Sequence, residues 1–198
     1  MRYPFARAAL AAVVALAAAC GDASQSSTGL ETSRALTRSA SQASQSRQGF
    51  GFNGTASGFP TGVVFLTGGG SFDIASASNV VPTDTRVASG GGFRCTDAVA
   101  QGPLNGCAAG EGVRWDSVQL LTSTNFKCSP ADAAKLAVTG TDRVVLLADF
   151  YRAGDGVNES FTAQMIVSDT DLAPNIDGEQ TLWIQGVGCG DAVANFAR

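Results

Sequence analysis

The sequence contains no histidine and only two lysines, Lys127 and Lys135. Without an imidazole the chain cannot build a Ser-His-Asp or Cys-His relay, a histidine-liganded zinc site or a histidine proton shuttle. An enzyme made from this sequence would have to use carboxylates, arginine, tyrosine or a thiol. The sequence identifies no catalytic residues.

Positive charge is scarce as well. The net charge is −4, with 13 basic against 17 acidic side chains. An acidic protein has no electrostatic attraction for phosphate backbones, so nucleic acid is set aside as a partner.

Long apolar runs are missing apart from the stretch between Ala8 and Ala19, which contains only Ala, Val and Leu. That run is shorter than the roughly 20 residues a helix needs to cross a bilayer. The seven residues before it contain Arg2 and Arg7 and no acidic residue, which is the pattern of a secretion signal. We predict that residues 1–19 are a signal peptide and that the mature protein has no membrane span.

Two cleavage motifs end at the same position. Ala17-Ala18-Ala19 satisfies the small-x-small rule of ordinary signal peptidase, and Leu16 to Cys20 (LAAAC) resembles the lipobox of bacterial lipoproteins. Cleavage falls before Cys20 in both cases. The resemblance implies lipidation of Cys20 and attachment to a membrane through that lipid, whereas ordinary cleavage gives a soluble secreted protein.

The cysteine count is odd. In an oxidising compartment five cysteines leave one unpaired, and a lipidated Cys20 removes it. The remaining four cysteines allow three connectivities. Turn-forming Gly102-Pro103 and Asn105-Gly106 pairs between Cys95 and Cys107 favour joining these two, and therefore Cys128 with Cys189.

The chain divides into three parts. After the signal, residues 20–48 begin with Cys20, are rich in Ser, Gln, Thr and Ala, and cannot bury enough apolar surface to fold alone. We predict a flexible tether there. Residues 49–198 form one domain of a size that can hold a single core.

Within this domain, glycine-rich breaks separate short β-prone runs, several of which alternate with period two. The runs are 62–67, 71–75, 113–121, 143–151, 160–168 and 181–187. The segment 143–168 is expected to form a hairpin that turns at 153–158. We predict an all-β fold, a single antiparallel β-barrel or β-sandwich with two disulfides.

One short α-helix is predicted beside the strands. Ser129, Pro130 and Asp132 suit the N-cap, first position and first turn of a helix that would continue to about Val138 and end at Gly140.

Aromatic residues next to guanidinium groups are the candidate ligand contacts, since this combination is enriched on binding surfaces. They are Arg114, Trp115, Tyr151 and Arg152, together with Trp183 on the otherwise polar face of its strand.

Other motifs carry weaker hypotheses. The glycine triplets 68–70 and 90–92 suggest bulges or bends, or an anion nest with Arg94. The acidic loop 168–180 does not follow the EF-hand pattern, so no metal or other cofactor is predicted. Asp149 and Glu159 are the carboxylate pair to consider for glycoside hydrolysis. More generally, the enzyme alternative is a small β-barrel isomerase or hydrolase that uses Asp or Glu with Tyr or Arg.

These features favour a non-enzymatic protein that is exported and anchored in the cell envelope, or otherwise extracellular. Its β domain would bind an unidentified small ligand or envelope protein, or serve a structural role. The small barrel enzyme is the alternative.

Overall fold

The computed structural model describes residues 47–57, 61–81, 83–152 and 160–197. The predicted signal, Cys20, Glu159 and the turn at 153–158 lie outside these residues. The described residues form ten strands and contain no helix that could span a membrane. The strands are β1 (Arg47–Ser57), β2 (Val63–Asp73), β3 (Val87–Asp97), β4 (Arg114–Leu120), β5 (Ser123–Phe126), β6 (Lys135–Val138), β7 (Arg143–Tyr151), β8 (Ser160–Ser168), β9 (Leu182–Ile184) and β10 (Gly188–Ala197).

Eight of the strands close into an antiparallel barrel in the order β1-β10-β9-β8-β7-β4-β3-β2, and β5 pairs with β6 in a separate two-stranded sheet. The all-β prediction is confirmed, and of its two alternatives the structure is the barrel. Period-two alternation decides which side chains enter it, because successive residues of a strand point to opposite faces. In β8, for example, Ala163, Met165 and Val167 join the interior cluster.

Aromatic side chains fill the barrel interior. Trp115, Phe72 and Phe150 are fully buried there, with Phe52 and Phe93 almost so. Edge-to-face packing of Phe93 on Phe150, with ring centroids 5.2 Å apart, is typical of an ordered aromatic core.

The predicted Cys95–Cys107 disulfide is present, and the loop it constrains closes one end of the barrel. Val99, Leu104 and Cys107 of this loop are buried in the interior cluster. The loop therefore supplies part of the core that the strands cannot supply at their ends.

The helix predicted over 130–138 is wrong. Residues 128–132 form turns and bends, and Lys135–Val138 pair with Ser123–Phe126. Helix propensity is a weak preference that tertiary contacts override. Here Ala137 is fully buried against the outside of the barrel while Leu136 and Val138 on either side of it are exposed, an alternation that only a strand provides.

The β5–β6 hairpin covers a second apolar cluster on the outer face of the barrel. This outer cluster comprises Leu121, Phe126, Ala137, Val145, Ile166, Leu172, Trp183 and Cys189. The predicted Cys128–Cys189 disulfide joins the chain just after β5 to β10, so it holds the hairpin on the barrel.

Just before β9 begins, a threonine side chain continues the hydrogen bonding between this segment and β10. The buried Thr181 hydroxyl accepts from Ala192 N–H and donates to Ala192 C=O, both at 2.7 Å.

We expect Thr181→Val to lower the free energy of unfolding by about 2 kcal/mol, since the buried backbone groups of Ala192 lose their partner. Urea unfolding followed by tryptophan fluorescence measures this, with the outer-face variant Thr55→Val as control. Equal stability of the two variants would contradict the assignment.

Candidate binding surface

The outer face of β4 and β7 brings two of the predicted contact residues together. Arg114 lies opposite Tyr151 in the register, while Trp115 and Phe150 point inward. The guanidinium carbon of Arg114 lies 4.6 Å from the centroid of the Tyr151 ring, a cation-π contact. This pairing could not be inferred from the sequence alone, since the residues are far apart in the chain.

Arg114 also makes an ion pair on its own strand, with its Nε atom 3.4 Å from the Asp116 carboxylate. Both side chains are at least half exposed, at 61% and 50%. Exposed ion pairs contribute little to stability, so Arg114 can exchange this carboxylate for that of a ligand at small cost.

Next to Arg114 a shallow groove of about 560 Å³ crosses the outer face of β2 and β3. We call it the arginine groove; its lining residues are Phe65, Thr67, Gly92, Phe93, Arg94, Gly110, Gly112 and Val113. Three glycines give it a floor without side chains. Phe65 and Val113, which are 38% and 52% exposed, provide apolar walls.

Register places both arginines beside Gly92. Arg94 lies opposite Phe65, and Arg114 lies opposite Gly92. Diagonal neighbours in an antiparallel pair lie about 7–8 Å apart, which is therefore the spacing of Arg94 and Arg114 on this face. Within the described ranges Arg94 is exposed and makes no ion pair.

The second glycine triplet does not form an anion nest. Both triplets lie inside strands, with Gly68 opposite Gly91 and Gly69 opposite Gly90. The prediction that residues 68–70 separate two strands is wrong, since they lie within β2. In a strand, successive N–H groups point to opposite sides, whereas a nest needs them to converge.

The other three predicted contacts lie elsewhere. Trp115 is inside the barrel, where its Nε1 donates to the Thr67 carbonyl at 3.1 Å, and its exposed fraction is zero. Trp183 is 7% exposed and packs against Phe126 of the β5–β6 hairpin, with ring centroids 6.1 Å apart.

Arg152 fastens the loop that closes the barrel. Its Nη1 donates to the Gly106 carbonyl at 2.8 Å and lies 3.5 Å from the Glu111 carboxylate. Its guanidinium carbon is 5.4 Å from the Phe161 ring centroid. These contacts join β7, β8 and the disulfide loop, so the role of Arg152 in this structure is structural.

Asp149, one half of the carboxylate pair considered for catalysis, lies on the outer face of β7. It accepts a hydrogen bond from the Thr162 hydroxyl and lies opposite Asp116 in the register. Glu159 is outside the described residues. The observed role of Asp149 is a cross-strand bond to β8.

In the acidic loop after β8, a carboxylate accepts hydrogen bonds from backbone N–H groups of the same loop. Asp171 accepts from the N–H groups of Ala173 and Gln180. A cleft of about 630 Å³ beside the Cys128–Cys189 disulfide carries Asp177, Glu179 and Asp191. Across the part of the chain that the structure describes, no three His, Cys, Asp or Glu residues are placed to hold a metal ion.

Comparison with known proteins adds no further constraint. No family model, no curated protein and no solved structure matches this chain.

Phe65 and Val113 are groove residues that the sequence did not indicate as ligand contacts, and it indicated Gly92 only as a member of a glycine triplet. One signal for Phe65 was available: in VVFLT (63–67) it alternates with Val64 and Leu66, which places an aromatic ring on the face opposite the core. Gly92 and Val113 gave no such signal, since their significance arises only from the pairing of β3 with β4.

Proposed function

We propose that this protein is an exported, lipid-anchored component of a bacterial cell envelope that binds another envelope component through the arginine groove and the adjoining Arg114–Tyr151 pair. One observation carries the proposal: aromatic side chains fill the interior, while two arginines next to aromatic rings lie on the outside. Arg94 makes no ion pair among the described residues, and the ion pair of Arg114 is exposed. Recognition is therefore a property of the outer surface.

The contents of the barrel support binding over catalysis. Small ligands and substrates are usually held in concave, enclosed sites, and the interior of a small barrel provides one when side chains leave it open. In this barrel Trp115, Phe72 and Phe150 occupy that position. Asp149, the acid considered for the enzyme alternative, lies on the outer surface and bonds to Thr162.

Two disulfides are consistent with an exported protein, since such bonds persist in oxidising compartments. These two disulfides include all four cysteines that follow Cys20. Cys20 is then the one cysteine left for a lipid, in agreement with its position after Leu16 to Ala19.

The anchor is tested by the intact mass of the protein from the membrane fraction of the producing cells. We expect a chain that begins at Cys20 and carries a diacylglycerol increment, and we expect Cys20→Ala to move the protein into the soluble fraction. An unmodified chain beginning at Cys20 in the culture fluid would contradict lipidation.

Surface binding is tested by co-sedimentation with washed envelope fragments of the producing cells. The probe is the chain from residue 20 onward with Cys20→Ser, which removes the contribution of the lipid. We expect Arg94→Gln together with Arg114→Gln to reduce the bound fraction at least about fivefold, because charge-assisted contacts are lost.

The matched control is Arg47→Gln with Lys127→Gln, which changes the net charge equally at two exposed positions that do not line the groove. Loss of binding in both double variants to the same extent would show a general charge effect and contradict the proposed surface. Absence of sedimentation for the unsubstituted protein would contradict it too.

A further inference from the structure

We propose that the arginine groove binds an acidic glycan, with a sugar ring lying on the glycine floor and the carboxylate of the sugar bound by Arg94, assisted by Arg114. This inference rests on the proposed function and names the class of its ligand.

The floor of the groove admits a flat ring. Gly92 lies on the outer face, and a Cβ atom built there would be 3.4 Å from Thr67 Cγ2 and 3.8 Å from the Val113 carbonyl oxygen. These are ordinary van der Waals distances, so an atom fits above Gly92 without overlap, and the glycine leaves that position unfilled. A ring can therefore approach the backbone between the walls formed by Phe65 and Val113, which offer apolar surface to its C–H groups.

Charge selects the ligand. In a chain of net charge −4, Arg94 lies in the groove and makes no ion pair among the described residues, and Arg114, whose ion pair is exposed, lies beside the groove. A guanidinium binds a carboxylate through paired, charge-assisted hydrogen bonds. The groove therefore offers an anion a guanidinium group without a carboxylate partner among the described residues.

A glycan fits this groove better than an acidic peptide. Extended peptides gain much of their affinity by adding a strand to a free sheet edge. Here the strands that form the floor, β2 and β3, are paired on both sides within a closed barrel. The hydroxyl groups of a glycan need no such edge, because in an open groove they remain hydrated. The volume of about 560 Å³ is in the usual range for small-ligand sites, about 300–1,000 Å³.

Binding is measured by isothermal titration calorimetry with oligogalacturonate, which carries one carboxylate on each ring, and with a neutral dextran oligomer of the same length. We expect heat of binding for the acidic oligomer only, weakening as salt is added because the charges lie at the surface. Equal affinity for dextran, or no binding of oligogalacturonate, would overturn the proposal.

Two variants test the two parts of the site. Arg94→Gln removes the charge and Gly92→Val fills the floor, and each is expected to weaken binding at least about tenfold. Their controls are Arg47→Gln, the same charge change outside the groove, and Gly51→Val, another outward-facing strand glycine whose added Cβ would come no closer than 3.8 Å to Gly68 O. Affinities of the variants equal to those of their controls would overturn the site.

The fold and the peptide alternative are checked in the same series. The melting temperature of Gly92→Val is expected to match that of Gly51→Val. If it does not, Gly92→Ala, which adds only the Cβ, is used in the binding experiment and is also expected to weaken binding. Tighter binding of oligoglutamate than of oligogalacturonate would overturn the assignment to a glycan.

Failure of this inference can be told apart from failure of the proposed function. Neutralising the carboxylates of the envelope fragments with a carbodiimide and an amine should abolish co-sedimentation if an acidic glycan is the ligand. Arginine-dependent co-sedimentation that survives this treatment would overturn the acidic glycan and leave the proposed binding surface supported.

Discussion

Gly91→Ala is expected to lower the free energy of unfolding by more than about 3 kcal/mol or to prevent folding, whereas Gly92→Ala is expected to change it by less than about 0.5 kcal/mol. A Cβ atom at position 91 would overlap the Thr67 carbonyl oxygen and lie 2.5 Å from Gly68 Cα. Both obstacles are backbone atoms of the neighbouring strand, which no change of side-chain rotamer can move. At position 92 the added methyl group meets only ordinary contacts.

The reason for this close approach is the packing of Trp115. Gly91 lies opposite Gly68 on one side and opposite Trp115 on the other. A Cβ at Gly68 would come within 2.7 Å of Trp115 Cζ2, so the indole occupies the space that side chains would fill. The triplets therefore have two functions: their inward-facing members accommodate the tryptophan, and Gly92 forms the floor of the groove.

Urea unfolding followed by tryptophan fluorescence, with circular dichroism to establish that each variant is folded, measures the two substitutions. Because the residues are adjacent and the change is the same, helix or strand propensity and unfolded-state effects largely cancel. If Gly91→Ala were as stable as Gly92→Ala, the pairing of β2 with β3 across the triplets would be wrong.

Removal of the Cys128–Cys189 disulfide by substituting serine for both cysteines is expected to cost about 4 kcal/mol, and removal of Cys95–Cys107 about 3 kcal/mol. The two bridges span 61 and 12 residues, and a longer loop gains more freedom in the unfolded chain when it is opened. The longer bridge also fixes the β5–β6 hairpin over Trp183, so its loss should expose that side chain.

Denaturant unfolding of the two double variants gives the costs, and quenching of tryptophan fluorescence by acrylamide reports the exposure of Trp183. The Cys95–Cys107 variant serves as the control, because it leaves the hairpin attached. Increased quenching in that variant alone would contradict the structural role assigned to the longer bridge.

The strands that could be predicted are those that reveal a buried face through their own alternation. In β8 apolar residues recur at every second position from Phe161 to Val167, and β7 contains a continuous apolar run from Val144 to Ala148. Both strands were predicted with the bounds that the structure shows. Strands β1, β3 and β10 were not predicted. Gly, Ser and Asn occupy much of β1 and β3, and β10 is composed largely of Gly and Ala with an Asp and an Asn. They are strands because closure of the barrel gives every one of them partners on both sides.

The groove illustrates the same limit. The pattern of aromatic and guanidinium neighbours was sufficient to select Arg114 and Tyr151 as candidate contacts, but it also selected Trp115. The polar face of its strand selected Trp183. Burial separates these two from the others, and burial depends on what packs over each position: the barrel interior over Trp115 and the β5–β6 hairpin over Trp183. The second strand of that hairpin lies where the sequence predicts a helix.

The sequence by itself determined the β class and the absence of imidazole chemistry, and it favoured the observed pairing of the four later cysteines. Composition, local alternation and turn motifs act over a few residues and do not depend on the rest of the chain. Only the tertiary structure decided that the sheet closes into a barrel filled with aromatic rings, and that Phe65, Arg94 and Arg114 meet around Gly92 on its outside. Those contacts join residues far apart in sequence, and strand register, which places them on a common face, is fixed only when all the strands pack together.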